Sequence, residues 1–193
     1  SQQGFSIHGA GWQWNLQRTP ISDAATFGGD YLFHAPDGQP ASVTWEFSSL
    51  APSTYQLYAR FFGAAANTAG ARYEITPLKD DGTPIQSLAT QSTVDQRFTP
   101  VGNAFGGLTW AFLGNVTLPA GRVRVTLVAS SDGVTVADAV RLEASRSPGV
   151  YAVDMSANPL GSFALSSPME SYYASFPGLA PQPATAYIPN QVI

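Results

Sequence analysis

The chain has 193 residues, enough for one domain with a full hydrophobic core plus an extension. Charged residues make up only 11%, the net charge is −4 and Lys79 is the single lysine, which excludes the basic patch needed for nucleic-acid binding or docking on anionic lipid. Cysteine is absent, so disulfides, zinc–thiolate sites and a cysteine nucleophile are excluded, and no apolar run approaches the ~18 residues of a membrane-spanning helix.

Eighteen glycines, 15 prolines, many Ser and Thr and 12% aromatics favour a loop-rich, all-β protein. Residues 1–30 form a mixed segment with Trp12 and Trp14 in a polar run, ending at Gly28-Gly29. A short strand is predicted over Tyr31–Ala35, closed by the turn Pro36-Asp37-Gly38. Ala41–Phe47 alternates Val43, Trp45 and Phe47 on one face; Thr54–Phe62 alternates Tyr55, Leu57, Ala59 and Phe61. In Ala71–Thr76, Tyr73 and Ile75 oppose Arg72 and Glu74, and Asp80-Asp81-Gly82 signals a hairpin turn. Leu108–Leu118 carries Trp110, Phe112 and Leu113, and Arg122–Ala129 turns Val123, Val125 and Leu127 inward. The count is about eight strands at spacings suited to an antiparallel β-sandwich over residues 1–146.

The last predicted strand, Gly133–Glu143, breaks the apolar pattern. Alternation puts Asp138 on the face of Val134, Val136, Val140 and Leu142, with Arg141 and Glu143 opposite. A carboxylate among core valines is costly unless hydrogen-bonded, paired or metal-bound. The first reading of Asp138 is structural: it accepts backbone N–H groups from a neighbouring loop. The second is calcium, with loop carboxylates such as Asp23 or Asp30 as co-ligands. Catalysis comes third, because a lone acid has no evident partner. Arg141 is read as structural, pairing with Glu143 or Glu74 or lying on an aromatic face.

Beyond residue 146 the composition changes. Residues 147–193 hold 7 of the 15 prolines and both methionines, with no Lys or Arg. This long, irregular C-terminal arm carries Tyr151, Tyr172, Tyr173, Phe176 and Tyr187 as aromatic anchors for its own sandwich or for neighbouring subunits.

Several pieces, taken in order, resemble a known family. They are Gly11-Trp12; Gly28-Gly-Asp-Tyr-Leu-Phe33; Ala41 to Phe47 followed by Leu50 to Tyr55; Tyr58-Ala-Arg-Phe61; Ala71-Arg-Tyr73; Trp110-Ala-Phe-Leu-Gly114; and Val136-Ala-Asp-Ala-Val-Arg141. Over about residues 5–144 the chain resembles the golvesin C-terminal, or xanthan-lyase carbohydrate-binding-like, domain. The resemblance implies a jelly-roll-like β-sandwich, extracellular or at the cell surface, that binds carbohydrate or a surface partner without catalysis. The stretch Lys79–Phe105 is longer than that family's usual connection, and the arm lies outside it.

Trp12 and Trp14, two apart in an extended segment, project to one side and are the first candidates for stacking on sugar rings. The competing reading is that one of them closes the end of the sandwich. Tyr58 and Phe62 face away from the inward row of their strand and could line a sheet-face platform or support the arm. Enzyme readings lack parts: His8 and His34 are the only histidines, and no nucleophile elbow, paired-histidine zinc motif or P-loop occurs. The first functional expectation is therefore a noncatalytic domain binding polysaccharide or a surface protein. The alternative is a structural subunit of a filament, sheath, surface layer or virion, joined through the arm into a homo-oligomer or larger assembly.

Overall fold

The computed structural model describes residues 4–15, 26–145 and 150–154, the last five by their backbone. Its strands in chain order are β1 (Phe5–His8), β2 (Trp12–Asn15), β3 (Tyr31–His34), β4 (Ser42–Phe47), β5 (Ser53–Arg60), β6 (Ala71–Pro77), β7 (Thr90–Val94), β8 (Ala104–Phe105), β9 (Leu108–Thr109), β10 (Ala111–Leu118), β11 (Val123–Val128), β12 (Thr135–Ala137), β13 (Ala139–Ala144) and β14 (Val150–Asp154). The one helical turn among the described residues is a 3-10 turn at Gln86–Leu88, and no helix there is long and apolar enough to cross a membrane.

A five-stranded sheet, β1-β4-β11-β6-β7, packs over a four-stranded sheet, β10-β5-β13-β14, extended by a three-stranded sheet, β12-β3-β2. The chain switches layers repeatedly: β4 to β5 to β6, then β10 to β11, then on to β13. These crossings and the antiparallel ladders make the jelly-roll-like sandwich. Register explains the core. Phe5, Trp45, Val125 and Ile75 lie side by side across four strands and face inward. One residue along, Ser6, Thr44, Thr126, Glu74 and Gln91 form a polar row on the outer face. Fully burying one large apolar side chain contributes ~1.5–3 kcal/mol, so rows such as the first dominate stability.

The predicted strands over 41–47, 71–76 and 122–129 appear within a residue or two of expectation. Leu108–Leu118 does not run straight through. Gly106 and Gly107, at φ 60° and 78°, turn β8 into β9, and Trp110 separates β9 from β10. β10 then bulges between Phe112 and Gly114.

The Gly133–Glu143 strand is also divided. β12 pairs with β3, whereas β13 pairs with β5 and β14, and Asp138 is the residue between them. Ala137, Val140 and Leu142 reach the main core, while Ala139 joins a second cluster on the other side of its sheet. The alternation predicted through Asp138 thus changes phase there.

The sheet continues past the expected boundary at 146. β14 pairs with β13 and sets Tyr151 opposite Leu142. Tyr151 therefore belongs by its backbone to the sandwich rather than to a free assembly arm. Tyr172, Tyr173, Phe176 and Tyr187 lie outside the described residues.

Candidate functional site

The break at Asp138 is built to hold a buried charge. Asp138 is fully buried, and the Phe27 N–H donates to both of its oxygens, at 3.2 and 3.0 Å. This is the structural role expected of it. Arg60, also buried, donates through Nη1 to the Thr109 carbonyl at 3.0 Å. Burial holds the Arg60 pKa below its usual value, and the nearby Asp138 charge offsets part of that shift. Asp30 is buried, Asp23 lies outside the described residues, and no cluster of three or more His, Asp or Glu among the described residues could hold a metal ion.

Arg141 occupies an aromatic box on the outer face of the four-stranded sheet. Its guanidinium carbon sits 4.2 Å from the Tyr58 ring centre, 5.1 Å from Phe105 and 5.4 Å from Trp110. Glu143 approaches Nη1 at 3.4 Å, whereas Glu74 pairs with Arg72 instead. Of the alternatives raised for Arg141, the aromatic face and Glu143 are the two realised.

Tyr58 does not line an exposed platform, because it is only 3% exposed. Its hydroxyl donates to Gln56 and accepts from Asn103, both at 2.8 Å, and Trp110 packs in the same cluster. The segment carrying Asn103 and Trp110 folds over Tyr58, while Phe112 beside it stays 49% exposed. Burial, and then the Glu143 charge, raise the Tyr58 pKa.

The second key element is Gln96, fully buried and unremarked in the sequence. Its side-chain amide acts as a strand partner for β12: Oε1 accepts from Val136 N–H at 2.8 Å and Nε2 donates to Val136 C=O at 2.6 Å. Its backbone N–H donates to the Thr68 carbonyl at 2.9 Å, and its carbonyl accepts from Asn67 Nδ2 at 3.1 Å. One side chain therefore fixes β12, and β12 holds β3, because Val136 lies opposite Phe33.

The three-stranded sheet carries the accessible aromatic face. In β3, Leu32 and His34 are buried while Tyr31 and Phe33 are half-buried, so the strand has an inner and an outer side. Pairing puts Gln13 beside Phe33 and Asn15 beside Tyr31, on the outer side. Phe62 joins them from the end of β5: its ring is 4.7 Å from Tyr31, which is 6.3 Å from Phe33. Asn15 Nδ2 donates to the Tyr31 hydroxyl. The result is three adjacent, partly exposed rings with amides along one edge.

Trp12 and Trp14 project to one side, as their spacing requires, but to the inner one. They pair with His34 and Leu32 and pack on the main core, Trp12 5.2 Å from His34 and Trp14 6.4 Å from Phe5. The expected exposed tryptophan pair is thus a closure of the sandwich end. Their strand has its outer side at Gln13 and Asn15, so the apolar residues had to turn inward. Sequence reasoning passed over Tyr31 and Phe33. Their alternation was visible, but which side met the core depends on pairing with β2.

Fold and site together define a β-sandwich module with an aromatic box around Arg141 on one sheet face, a buried carboxylate at a strand switch and a partly exposed aromatic row on the three-stranded sheet. The family model that matches, over residues 4–144, is the Golvesin C-terminal domain, and the chain belongs to that family. No curated protein sequence matches the chain. Among solved structures, a Paenibacillus xanthan lyase is similar at 23% identity and TM-score 0.51, over 74% of this chain and 12% of the lyase. The enzymatically active domain of tailspike protein 4 from bacteriophage CBA120 matches at 17% identity and TM-score 0.43, over 71% of this chain and 19% of that one. A carbohydrate-binding module of the β-sandwich superfamily matches at 12% identity and TM-score 0.39, over 80% of this chain and 58% of the module. This chain thus spans a small part of the lyase and of the tailspike domain.

Proposed function

We propose that this chain is a noncatalytic, extracellular carbohydrate-binding domain that takes a polysaccharide on the outer face of the three-stranded sheet. The observation that carries this reading is the row Phe33–Tyr31–Phe62, half-buried and flanked by Gln13 and Asn15. A pyranose ring has an apolar C–H face that stacks on such rings and a hydroxyl rim that side-chain amides satisfy. The noncatalytic part rests on how the carboxylates are used. Glu46 pairs with Arg122 and Arg124, Asp81 caps Thr83 N–H, and Asp138 accepts from Phe27. None of these leaves two acids facing each other across a cleft, the arrangement glycoside hydrolysis needs.

Electrophoresis through gels cast with xylan, barley β-glucan or xanthan tests the reading. At least one polymer is expected to retard the domain, and Phe33→Ala with Phe62→Ala should weaken retardation by roughly 5- to 150-fold, at about 0.5–1.5 kcal/mol per stacked ring. Free migration through all three gels, or equal retardation of the double variant, would count against it.

A further inference from the structure

Phe98 is 67% exposed, against 49% for Phe112, the other aromatic side chain among the exposed large hydrophobics of the described residues. The exposure of Phe98 is imposed by a tightly held loop. Gly63 lies so close beneath that a Cβ there would meet Thr99 N at 2.2 Å and the Phe98 carbonyl carbon at 2.3 Å. On the far side, Thr109 Oγ1 donates to the Pro100 carbonyl at 2.6 Å. Asn67 Nδ2 joins this loop to the aromatic face by donating to the carbonyls of both Phe62 and Gln96, at 3.0 and 3.1 Å. The Phe98 loop therefore rests one residue along from Phe62, at the border of the Tyr31–Phe33–Phe62 row.

The ring has polar company. Arg97 lies over it, with Cζ 5.7 Å from the ring centre. Arg97 Nε and Nη2 grip Asp95 Oδ1 and Oδ2 at 3.0 and 2.7 Å, and the Arg97 backbone N–H also donates to Asp95 Oδ1 at 3.0 Å. Both side chains remain substantially exposed, Arg97 at 46% and Asp95 at 34%. One flat apolar ring beside a fork of donors and acceptors matches the size and chemistry of a single sugar unit. Val101, 93% exposed, is the other apolar side chain this loop presents, and a folded protein partner needs a contiguous footprint of roughly 800 Å² per side, more than these two supply. Because the two charges compensate each other, the site favours a neutral unit; an anionic one would have to draw Arg97 away from Asp95.

We infer that Asp95, Arg97 and Phe98 form a second saccharide subsite, taking a neutral hexose or pentose unit of the chain bound on the neighbouring sheet face. The inference rests on the carbohydrate-binding reading and extends it to a longer stretch of polymer. Xylan and barley β-glucan gels test it with Phe98→Ala and Arg97→Gln, both surface changes whose folding is checked by thermal melts. Retardation by a neutral polymer is expected to weaken by roughly 2- to 13-fold for Phe98→Ala and about threefold for Arg97→Gln. If wild type and Phe98→Ala are retarded equally while Phe33→Ala is not, the subsite is wrong and the sheet-face reading stands. If xanthan alone retards the domain, the neutral assignment fails. If no polymer retards wild type, both readings fall. A wild-type dimer that Phe98→Ala splits, with retardation unchanged, would make this loop a self-association surface and overturn the subsite.

Discussion

Replacing Gln96 by Ala removes the side chain that closes the open ladder positions of Val136. Both the N–H and the C=O of that residue lose their partners, in a region where Gln96 and Val136 are fully buried. Each unsatisfied buried group costs about 1–3 kcal/mol, so the loss should be about 2–6 kcal/mol before any cavity term. Such a loss is a large part of the 5–15 kcal/mol typical of a domain. Urea unfolding followed by tryptophan fluorescence would show it as a midpoint lowered by roughly 0.7–3 M, for a slope of about 2–3 kcal/mol/M. Gln96→Glu adds a second signature. The carboxylate can still accept from Val136 N–H, but it opposes the Val136 carbonyl and is desolvated, so its folded pKa rises above the unfolded value. A raised folded pKa means the variant is most stable below the unfolded pKa and loses stability as pH rises through the folded value. Gln96→Glu should therefore approach wild type near pH 4 and fall behind it by pH 8. A Gln96→Ala loss below about 1 kcal/mol, or a Gln96→Glu deficit that does not grow with pH, would refute the strand-mimic account.

Other outcomes follow from the remaining charged groups. Arg141→Lys trades a planar guanidinium for a compact ammonium between Tyr58, Phe105 and Trp110, and should cost about 2 kcal/mol in thermal or urea unfolding. Ser130 and Thr68 hydroxyls hold the Asp132 carboxyl below its usual range, so its contribution is present above the unfolded pKa and lost as pH falls through the lower folded value. Asp132→Asn should accordingly be less stable than wild type at pH 6, with the gap closing toward pH 2 in pH-dependent melts. A chelator should leave the melting temperature unchanged, because the Phe27 N–H and the Arg60 charge already serve Asp138. A melting temperature that falls on chelation and returns with calcium would restore the metal reading.

The central strands were legible because each alternates apolar and polar residues against a core on one side, as Val43-Thr-Trp-Glu-Phe47 does. β7 gave no such signal. Thr90–Val94 is an edge strand, largely exposed on both faces, so nothing selects for alternation. β1 and β2 do alternate, as Trp12-Gln-Trp-Asn15 does, but at four residues each they are too short to stand out in a polar run. The Gly106-Gly107 hairpin left a trace between Phe105 and Leu108 that a closer reading of turn chemistry would have caught. Other features depend on long-range placement. The burial of Tyr58 requires knowing that residues near 103 and 110 cover its sheet, and the outward side of Tyr31 and Phe33 requires knowing which neighbour β2 would join. Asp138 was correctly singled out as anomalous, but an unbroken alternation through it concealed the change of sheet.

That change of sheet has a consequence for how the molecule opens. One uninterrupted run of ten residues, Thr135–Ala144, is shared between the layer that carries the aromatic face and the layer that carries the Arg141 box. Neither layer can peel away without dragging the other through the buried carboxylate between them. Local fraying should stop at this segment, so its amides should exchange with solvent only through global unfolding. The backbone beneath the aromatic rings is then among the last parts of the protein to give way.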